Sequence, residues 1–530
     1  MPLVTKQNGA RGHLLAASFA LCVLISACAH QPSEPPKPIP APVVRTNDSL
    51  HFAVSFPESA RSGPASGRVL LFLSKKAGAE PRFGGGFFDL QPVYAIEVTN
   101  WAAGKVIDFS PEKFRSPTAL AFPSPLERLE RGTWYAQALF DLDRTSRDYN
   151  EGPGNLYSDP VRCELRGASG GTIELVAAHV ITNTPPKDTE WIKYVEVRSK
   201  LLSDFYGHDT TLRASVTLPS SYRTNLQSRF PALYLIPGFG GRHLSAAGWI
   251  TSSRGRKWVQ GEVPLQMLRV VLDPDVPLGH SVFANSANNG PVGDALIQEL
   301  IPEIERRFRA IPEPRARFVS GHSSGGWSSL WLQVSYPDIF GGCWSTSPDP
   351  VDFRAFQTMN IYEDRNGHWT REGYPRPVGR SRDQVKLTFP QLNLFEYVTG
   401  YGGQLDSFDA VFSQRKSDGN PRALMNKLTG AIDPDVSEHW KRYDIRLVLE
   451  SQWPLLGPKL KGKLHIITGG WDTFYLNPAV ELLRDFLKTT DYGGYVEILP
   501  GDHGSVLTAE VTARIEREIA DQFQQGKPKN

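Results

Sequence analysis

Two patterns of apolar and polar residues divide the chain. From about Leu50 to about Val180, short runs in which apolar and polar residues alternate are separated by glycine and proline, without a long helical period. Alternation with a period of two is typical of strands that bury one face. The segment 49–185 is therefore predicted to be an all-β, sandwich-like domain of antiparallel strands.

The pattern changes near Tyr194, where continuous apolar runs begin to alternate with helical periods. The run Pro231–Pro237 is apolar throughout, which is typical of a strand covered on both faces. Residues Asp294–Phe308 carry apolar side chains at helical spacing around Pro302, so we predict a helix that kinks there. The alternation predicts an α/β domain over 190–526, with a mainly parallel sheet and helices on both faces.

The same criteria place the remaining elements of this domain. Strands are predicted at Ser215–Pro219, Leu268–Asp273, Phe340–Thr346, Lys463–Thr468 and Tyr495–Leu499, and helices at Ala479–Leu487 and Ser505–Phe523.

A buried strand at Arg317–Ser320 leads into the turn Gly321-His322-Ser323-Ser324-Gly325, and a helical pattern follows it. A serine on a sharp strand-to-helix turn is typical of the nucleophile of α/β-hydrolases, and its flanking glycines let strand and helix approach closely. The helix end also directs N–H groups and partial positive charge toward any oxyanion formed there. We therefore predict that Ser323 is a nucleophile.

The spacing Gly-x-Ser-x-Gly is weak by itself, because it occurs a second time at Gly167–Gly171. That copy lies between two alternating runs, Val161–Leu165 and Thr172–His179, and no helical pattern follows it. We predict a hairpin turn there and no catalytic role for Ser169.

The fold requires the order nucleophile, acid, histidine along the chain. His503 lies in the loop Pro500–Gly504, between the last predicted strand and the last predicted helix. We predict that it is the general base; a loop-capping role is the alternative. Of the other histidines after Ser323, His465 lies within a predicted strand and is predicted to be a core residue. His368 and His439 lie in a long irregular region.

The acid is expected after a strand that precedes this histidine. Asp472 follows the run Leu464–Gly470, and a carboxylate there can fix the imidazole tautomer and stabilise the imidazolium. Asp352 is the alternative acid, and Asp502 is predicted to be structural because it is adjacent to the histidine.

An oxyanion hole needs two backbone donors. One is predicted to be the N–H of Ser324, after the nucleophile, and the other an N–H of the glycine-rich loop Pro237–Gly241, which follows an early strand. We assign the second donor to Phe239, with Gly240 as the fallback. A plain glycine turn is the alternative for this loop.

Residues from about 190 to 525 resemble the putative-esterase family of α/β-hydrolases, which includes enterochelin esterases, feruloyl and acetylxylan esterases, S-formylglutathione hydrolases and mycolyltransferases. The resemblance implies an acyl-enzyme serine mechanism without a metal or another cofactor. The matching segments are Pro237–Gly241, Asp294–Pro302, Gly321–Gly326, Gly469–Asp472 and Gly501–His503.

The chain departs from this family by a long insertion at about 349–461, before the acid strand. The insertion is rich in charged and aromatic residues, among them Trp369, Tyr374, Trp440 and Trp453. It is expected to be either a cap that shapes the substrate pocket or a surface elaboration.

Composition narrows the function classes. A chain of 530 residues suggests more than one domain, and a net charge of +2 without a basic block gives no sign of nucleic-acid binding. Cys163 and Cys343 fall in different predicted domains, so no disulfide framework is expected, and no Cys/His spacing suggests zinc. The segment Asp141–Asn150 has spaced oxygen ligands for calcium, but a solvated loop is the favoured interpretation.

The first residues have the features of a bacterial export signal. Basic residues Lys6 and Arg11 precede the apolar run Leu14–Ile25, which is too short to span a bilayer. The sequence Ile25-Ser26-Ala27-Cys28 resembles a lipobox, which implies a signal peptide over 1–28 and lipidation of Cys28. The proline-rich linker 29–48 then favours an extended spacer. Because Ala29 follows the cysteine, we expect an outer-membrane lipoprotein; a soluble periplasmic protein is the alternative.

These features together predict a serine esterase tethered to the bacterial envelope, acting on a small-molecule or polysaccharide ester. An acyltransferase that uses the same residues is the alternative, and a peptidase is a third option. A non-catalytic surface binding lipoprotein is the rival from another class.

Overall fold

The structure is a computed structural model that describes residues 50–84, 86–115, 119–165 and 171–526. The predicted signal peptide, Cys28 and the proline-rich linker lie outside the described residues.

In the N-terminal module, residues 50–185, the described residues form strands joined by loops and short 3-10 turns. The strands are β1 (His51–Ser55), β2 (Ala65–Ser74), β3 (Val93–Trp101), β4 (Ile107–Phe109), β5 (Ala119–Phe122), β6 (Gly132–Asp141), β7 (Leu156–Tyr157), β8 (Val161–Leu165), β9 (Thr172–Val176) and β10 (His179–Val180). One sheet has the order β4-β1-β9. The larger sheet has the order β10-β7-β6-β2-β3-β5, with β8 also paired to β6.

The larger sheet of the module is buried on both faces. Val69 and Leu71 of β2 face the core shared with the small sheet, whereas Leu70 and Phe72 face the opposite side. On that opposite side they pack in one cluster with Val398, which belongs to the inserted region. Strand β2 is therefore apolar almost throughout, because each of its two side-chain rows meets a separate layer.

Two predictions for this module are wrong. The sandwich is not purely antiparallel, because β9 pairs with β1 in the parallel direction. The strands on either side of residues 166–170 join different sheets, since β8 pairs with β6 and β9 with β1, so they do not form the predicted hairpin. Local alternation shows that a strand buries one face, but it does not specify the partner strand. Ser169 itself lies outside the described residues.

The rest of the chain alternates strands with helices. The strands are β11 (Ile192–Ser199), β12 (Thr210–Thr217), β13 (Ala232–Ile236), β14 (Leu268–Leu272), β15 (Asp275–Val276), β16 (Gly279–His280), β17 (Asn285–Ser286), β18 (Gly290–Pro291), β19 (Arg317–His322), β20 (Gly342–Thr346), β21 (Pro377–Ser381), β22 (Gln384–Thr388), β23 (Leu464–Gly469) and β24 (Tyr495–Leu499). The helices are α1 (Lys200–Tyr206), α2 (Ala246–Ile250), α3 (Ser253–Gln260), α4 (Val292–Ala295), α5 (Ile301–Arg307), α6 (Ser324–Ser335), α7 (Phe389–Thr399), α8 (Gln404–Phe412), α9 (Pro434–Trp440), α10 (Ile445–Leu460), α11 (Asn477–Leu487) and α12 (Ala509–Gln525).

The central sheet has the order β11-β12-β14-β13-β19-β20-β23-β24. It is mixed: β12 pairs antiparallel with both β11 and β14, while every pairing from β14 to β24 is parallel. The parallel strands end at the same edge of the sheet, where the loops after β13, β19, β20, β23 and β24 converge.

Helices cover both faces of the central sheet. Tyr234 and Val319 belong to a core that includes Leu330 of α6. Their neighbours Leu233 and Phe318 point the other way, into a core with Trp258 of α3 and with Ile519 and Phe523 of α12. This alternation explains why these strands are continuous apolar runs in the sequence.

The predicted helix around Pro302 is interrupted rather than simply kinked. A π-helical turn, Leu296–Leu300, joins α4 to α5, and Pro302 lies in the first turn of α5. Proline has no N–H to donate to the carbonyl four residues earlier, so the helical hydrogen-bond pattern changes directly before it.

Over the described ranges, no helix is both long and apolar enough to cross a membrane. Cys163 and Cys343 are free, buried thiols in the separate cores of the two regions.

Candidate active site

Ser323 lies on the turn between β19 and α6 in a strained backbone conformation, with φ 61° and ψ −127°. Positive φ is rare for a residue with a side chain and is found mainly at functional sites. The flanking glycines are required by close backbone contacts. A Cβ on Gly321 would lie 2.0 Å from the Gly325 carbonyl oxygen, and one on Gly325 would lie 1.9 Å from that of Ile236.

The neighbouring strand β20 holds this turn in place. The Ser323 N–H donates to the Thr346 carbonyl oxygen at 3.0 Å, and the Ser323 carbonyl accepts from the Asp349 N–H at 3.2 Å. Within the described part of the chain, the Ser323 hydroxyl forms no hydrogen bond. Catalytic hydrogen bonds are often loose before substrate binds, so the serine is held by its backbone and its hydroxyl remains available.

His503 and Asp472 form a buried pair beside this turn. The His503 Nδ1 lies 2.8 Å from Asp472 Oδ2, and the side chains are 13% and 0% exposed, respectively. Asp472 Oδ1 accepts the Phe474 N–H at 2.8 Å, which fixes the carboxylate. The ring centroids of His503 and His322, the residue before the serine, lie 4.5 Å apart. The pairing of Nδ1 leaves Nε2 as the nitrogen that can take up a proton.

The surroundings of His503 favour its protonated form. Burial alone opposes the positive charge, but the charge and hydrogen bond of Asp472, with smaller contributions from Asp349 and Asp502, raise the pKa of His503 above its usual 6.5. A base with this pKa accepts a proton more readily than a solvent-exposed histidine does.

The alternative acids have other partners. Asp352 is buried between Arg354 and Arg446, with an oxygen 2.7 Å from a nitrogen of each. Asp502 accepts the N–H groups of Gly504 at 3.1 Å and Ser505 at 2.8 Å, so it stabilises the turn that carries His503.

The remaining candidate histidines lie away from this pair. His465 stacks on Trp344 with ring centroids 4.5 Å apart, and His368 lies 3.0 Å from the amide of Asn393 in the insertion. His439 is in α9.

The loop after β13 lies against the nucleophile. A Cβ on Gly238 would lie 3.1 Å from the Cβ of Ser323, and a turn is closed by a 2.9 Å hydrogen bond from the Gly241 N–H to the Gly238 carbonyl. Gly240 has φ 82°, a conformation that favours glycine. The N–H of Ser324 is the first of α6 and has no partner within the helix. Among the described residues, no hydrogen bond is donated by the N–H groups of Ser324, Phe239 and Gly240.

Asp349 and His322 also lie at the site, although neither was predicted from the sequence to be a site residue. Asp349 accepts a 2.6 Å hydrogen bond from the Ser324 hydroxyl, and burial raises its pKa to about 6. His322 Nδ1 lies 3.1 Å from the Thr346 hydroxyl. Burial, together with the charge on His503, lowers the pKa of His322 well below its usual range. The Ser-Pro-Asp turn directly after β20 was the available sequence signal for Asp349.

The N-terminal module reaches this site through aromatic side chains. Phe474 meets the His503 ring edge-on, with centroids 4.9 Å apart. Phe87 and Phe88 of the module pack on Phe474 at 5.3 and 5.7 Å. These apolar contacts shield one side of the histidine, and no local sequence pattern indicated them.

The segment Asp141–Asn150 forms turns rather than an ion cage. Asp143 Oδ1 accepts the Thr145 N–H at 2.8 Å, and Asp148 Oδ1 accepts the Asn150 N–H at 2.8 Å. In the residues that the structure covers, no group of three or more His, Cys, Asp or Glu side chains is arranged to hold a metal ion. Most residues of the segment are partly exposed or exposed, as expected for a solvated loop, but the Arg147 side chain is only 8% exposed.

Comparisons with known proteins find one family that is similar to part of the chain. Residues 207–444 match the family model described as Putative esterase, a segment shorter than half of the chain. The segment contains the Gly238–Gly241 loop and Ser323, whereas Asp472 and His503 lie beyond it. The chain is a carboxylic ester hydrolase by class. The matched region is similar to the putative esterase family.

Several solved structures are similar to part of the chain. An S-formylglutathione hydrolase from Agrobacterium tumefaciens is 13% identical, with 64% of this chain and 100% of that chain covered and a TM-score of 0.39. A CE1 ferulic acid esterase from Anaeromyces mucronatus, in complex with ferulic acid, is 14% identical, with 64% and 94% covered and a TM-score of 0.33. Est1E from Butyrivibrio proteoclasticus is 13% identical, with 63% and 99% covered and a TM-score of 0.34. At these scores the likenesses carry no functional weight. No curated protein matches the chain.

Proposed function

We propose that the protein hydrolyses a carboxylic ester through an acyl-enzyme formed on Ser323. The observation that carries this proposal is the Asp472–His503 pair, buried beside a serine that a strained strand-to-helix turn presents. A buried carboxylate that orients a histidine next to a serine on a strand-to-helix turn is the arrangement that activates a hydroxyl nucleophile.

In the first half of the reaction, Ser323 Oγ attacks the ester carbonyl and His503 Nε2 takes up the hydroxyl proton. The N–H groups of Ser324 and Phe239 donate hydrogen bonds to the negatively charged carbonyl oxygen, with Gly240 as the alternative second donor. Asp472 stabilises the imidazolium. The tetrahedral intermediate then collapses: the bond to the leaving alcohol breaks, and His503 returns its proton to that oxygen.

In the second half, His503 removes a proton from water, and the resulting hydroxide attacks the acyl group on Ser323. As the second intermediate collapses, the bond between the acyl carbon and Ser323 Oγ breaks and His503 returns its proton to Oγ, which releases the carboxylic acid and restores the serine. If an alcohol replaces water in this step, the same residues transfer the acyl group to it, so product analysis with added acceptor alcohols separates hydrolysis from transfer. We propose a small-molecule or polysaccharide ester as the substrate.

The test is hydrolysis of p-nitrophenyl acetate, butyrate and octanoate by the wild type, Ser323→Ala and Ser335→Ala. Ser335 is an exposed serine at the end of the same helix and serves as the matched control. We expect a loss of at least about 10⁴-fold in kcat for Ser323→Ala and no change for Ser335→Ala. Equal rates in all three proteins contradict the assignment, and a folded wild type that neither turns over an ester nor reacts with a fluorophosphonate supports the non-catalytic rival.

We also propose that lipid on Cys28 tethers the enzyme to the bacterial envelope. The lipobox-like sequence Ile25-Ser26-Ala27-Cys28 supports this proposal. Metabolic labelling with a fatty-acid analogue should mark the wild type and spare Cys28→Ser. Labelling of neither protein, together with release into the periplasmic fraction, supports the soluble alternative.

A further inference from the structure

The oxyanion loop, residues Pro237–Gly241, is contacted by a segment of the N-terminal module. The guanidinium of Arg147 lies over the Phe239 ring at 5.0 Å from its centroid. This is within the range of a cation–π contact, which is stronger when the cation is desolvated. Arg147 lies in the turn-rich segment after β6, so a residue far from the loop in sequence covers the side chain of the predicted oxyanion donor.

Arg147 is itself fixed from the catalytic side. Its Nε donates to Asp275 Oδ1 at 2.7 Å, and the two side chains are 8% and 15% exposed. A Cβ on Gly402 would lie 2.5 Å from the Cβ of Arg147, so the inserted region packs directly on the arginine. A buried ion pair with this geometry allows little movement of the guanidinium.

A second ion pair joins the same module segment to the end of the loop. Arg242 directly follows Gly241 and pairs with Glu151 of the module. Arg242 also lies 3.3 Å from Asp273 Oδ2 and 3.3 Å from Asp275 Oδ2. Asp275 therefore contacts the arginine that covers Phe239 as well as the arginine that ends the loop.

The start of the loop is held by the catalytic region. His280 Nε2 lies 3.0 Å from the Pro237 carbonyl oxygen, and His280 Nδ1 accepts the Val282 N–H at 3.0 Å. Since Nδ1 is an acceptor, Nε2 carries the proton and donates it to Pro237. The loop is thus anchored at its first residue by its own domain, and at Phe239 and Arg242 by the N-terminal module.

We propose that the N-terminal module positions the oxyanion loop, with Arg147 as the positioning residue that acts through Phe239. The proposal rests on the proposed function, because it assumes that the Phe239 N–H donates a hydrogen bond to the oxyanion. Its consequence is that the module is part of the catalytic unit and not a spacer.

The test compares Arg147→Ala and Arg147→Lys with Arg162→Ala. Arg162 belongs to the same module but pairs within it, with Glu164. We expect kcat for p-nitrophenyl butyrate to fall about 10- to 100-fold in Arg147→Ala, as for a displaced reacting group, with KM nearly unchanged. Affinity for an alkyl boronic acid, which mimics the tetrahedral intermediate once it bonds to the serine, should fall by the same factor. Arg147→Lys keeps the charge beside Asp275 and should recover part of both, and Arg162→Ala should match the wild type.

Rates are expressed per active site, titrated with a fluorophosphonate, so that misfolded protein does not count. If Arg147 has a purely structural role, Arg147→Ala should have fewer active sites that can be titrated but the wild-type kcat per active site. That result overturns the proposal. A rise in KM without loss of kcat or of boronic-acid affinity overturns it as well.

Phe239→Leu provides a second route if Arg147→Ala folds poorly. It keeps the amide and removes the ring beneath the guanidinium. If Arg147 acts through Phe239, the double variant should lose less activity than the product of the two single losses. Losses that multiply in full contradict the coupling.

Ser323→Ala in the same assay separates the two proposals. Activity that requires Ser323 but is indifferent to Arg147 overturns only the positioning role. Activity that survives Ser323→Ala overturns the proposed function, and with it the role of the loop.

Discussion

Asp352 and Asp472 are two buried aspartates that follow neighbouring strands of one sheet, and they differ in their partners. Both side chains are 0% exposed. Asp352 contacts the guanidinium groups of Arg354 and Arg446, whereas Asp472 contacts the imidazole of His503. A guanidinium keeps its proton at any physiological pH, while an imidazole gains and loses one near neutrality. Equal burial therefore gives a permanent ion pair in one place and a proton-transfer pair in the other.

The largest expected effect that separates the two is on turnover. Asp472→Asn should lower kcat by about 10⁴-fold, because an amide cannot stabilise the imidazolium and favours the wrong tautomer. In the wild type, kcat/KM should rise with pH through a value above 6.5, since neutral His503 is the active base and its pKa is raised. Removing the charge of Asp472 leaves burial to dominate, so the inflection should move to lower pH. An unchanged pH profile in Asp472→Asn contradicts this pairing.

Asp352→Asn should instead affect stability. Arg446 is only 6% exposed and would keep only the exposed Glu450 as an acidic partner. Removing one partner of a buried ion pair costs about 3–5 kcal/mol of unfolding free energy. Urea unfolding at pH 7 measures this loss of stability. In buffer without urea, kcat per folded molecule should remain at the wild-type value. A large fall in kcat with unchanged stability would assign the catalytic acid to Asp352.

Local sequence patterns predicted which residues lie in the loops at one edge of the central sheet, and the catalytic roles of these residues stay predictions. Ser323, Asp472 and His503 each lie in a loop after a strand, and those strands are recognisable from their own apolar residues. The pairing of Asp352 with Arg446, the parallel pairing of β9 with β1 and the contact of Arg147 with Phe239 join segments far apart in the chain. Such contacts depend on how complete sheets and helices pack against each other. The spacing of apolar residues within one segment therefore cannot predict them.

A smaller effect concerns the histidine that holds the oxyanion loop. Burial lowers the pKa of His280 to about 4. Above pH 6.5 this histidine is neutral in both the folded and the unfolded chain; between pH 6.5 and 4 only the unfolded chain takes up the proton, so stability falls as pH falls. The contribution reaches about 3 kcal/mol.

Denaturant unfolding across this pH range measures the effect. His280→Gln can still donate to Pro237 and should flatten the dependence, whereas His208→Gln, at an exposed histidine, should leave it unchanged. A slope that is the same in all three proteins contradicts the assignment.

The smallest effect is expected for Asp349, another carboxylate in the loops at the edge of the central sheet that carries Ser323. Asp349→Asn keeps an acceptor for the Ser324 hydroxyl but removes a charge that raises the pKa of His503. The inflection of kcat/KM should move slightly to lower pH, and kcat should change by no more than about tenfold. A loss as large as that of Asp472→Asn would give Asp349 a direct part in catalysis.

The central claim is that Ser323 carries the acyl group. The most direct measurement is acid quenching during the burst of p-nitrophenyl butyrate hydrolysis, followed by intact-mass and peptide mass spectrometry. The account predicts one butyryl group per active site on the peptide that contains Ser323, and none in Ser323→Ala. An acyl group on another residue, with the Ser323 peptide unmodified in a protein that turns over, would contradict it.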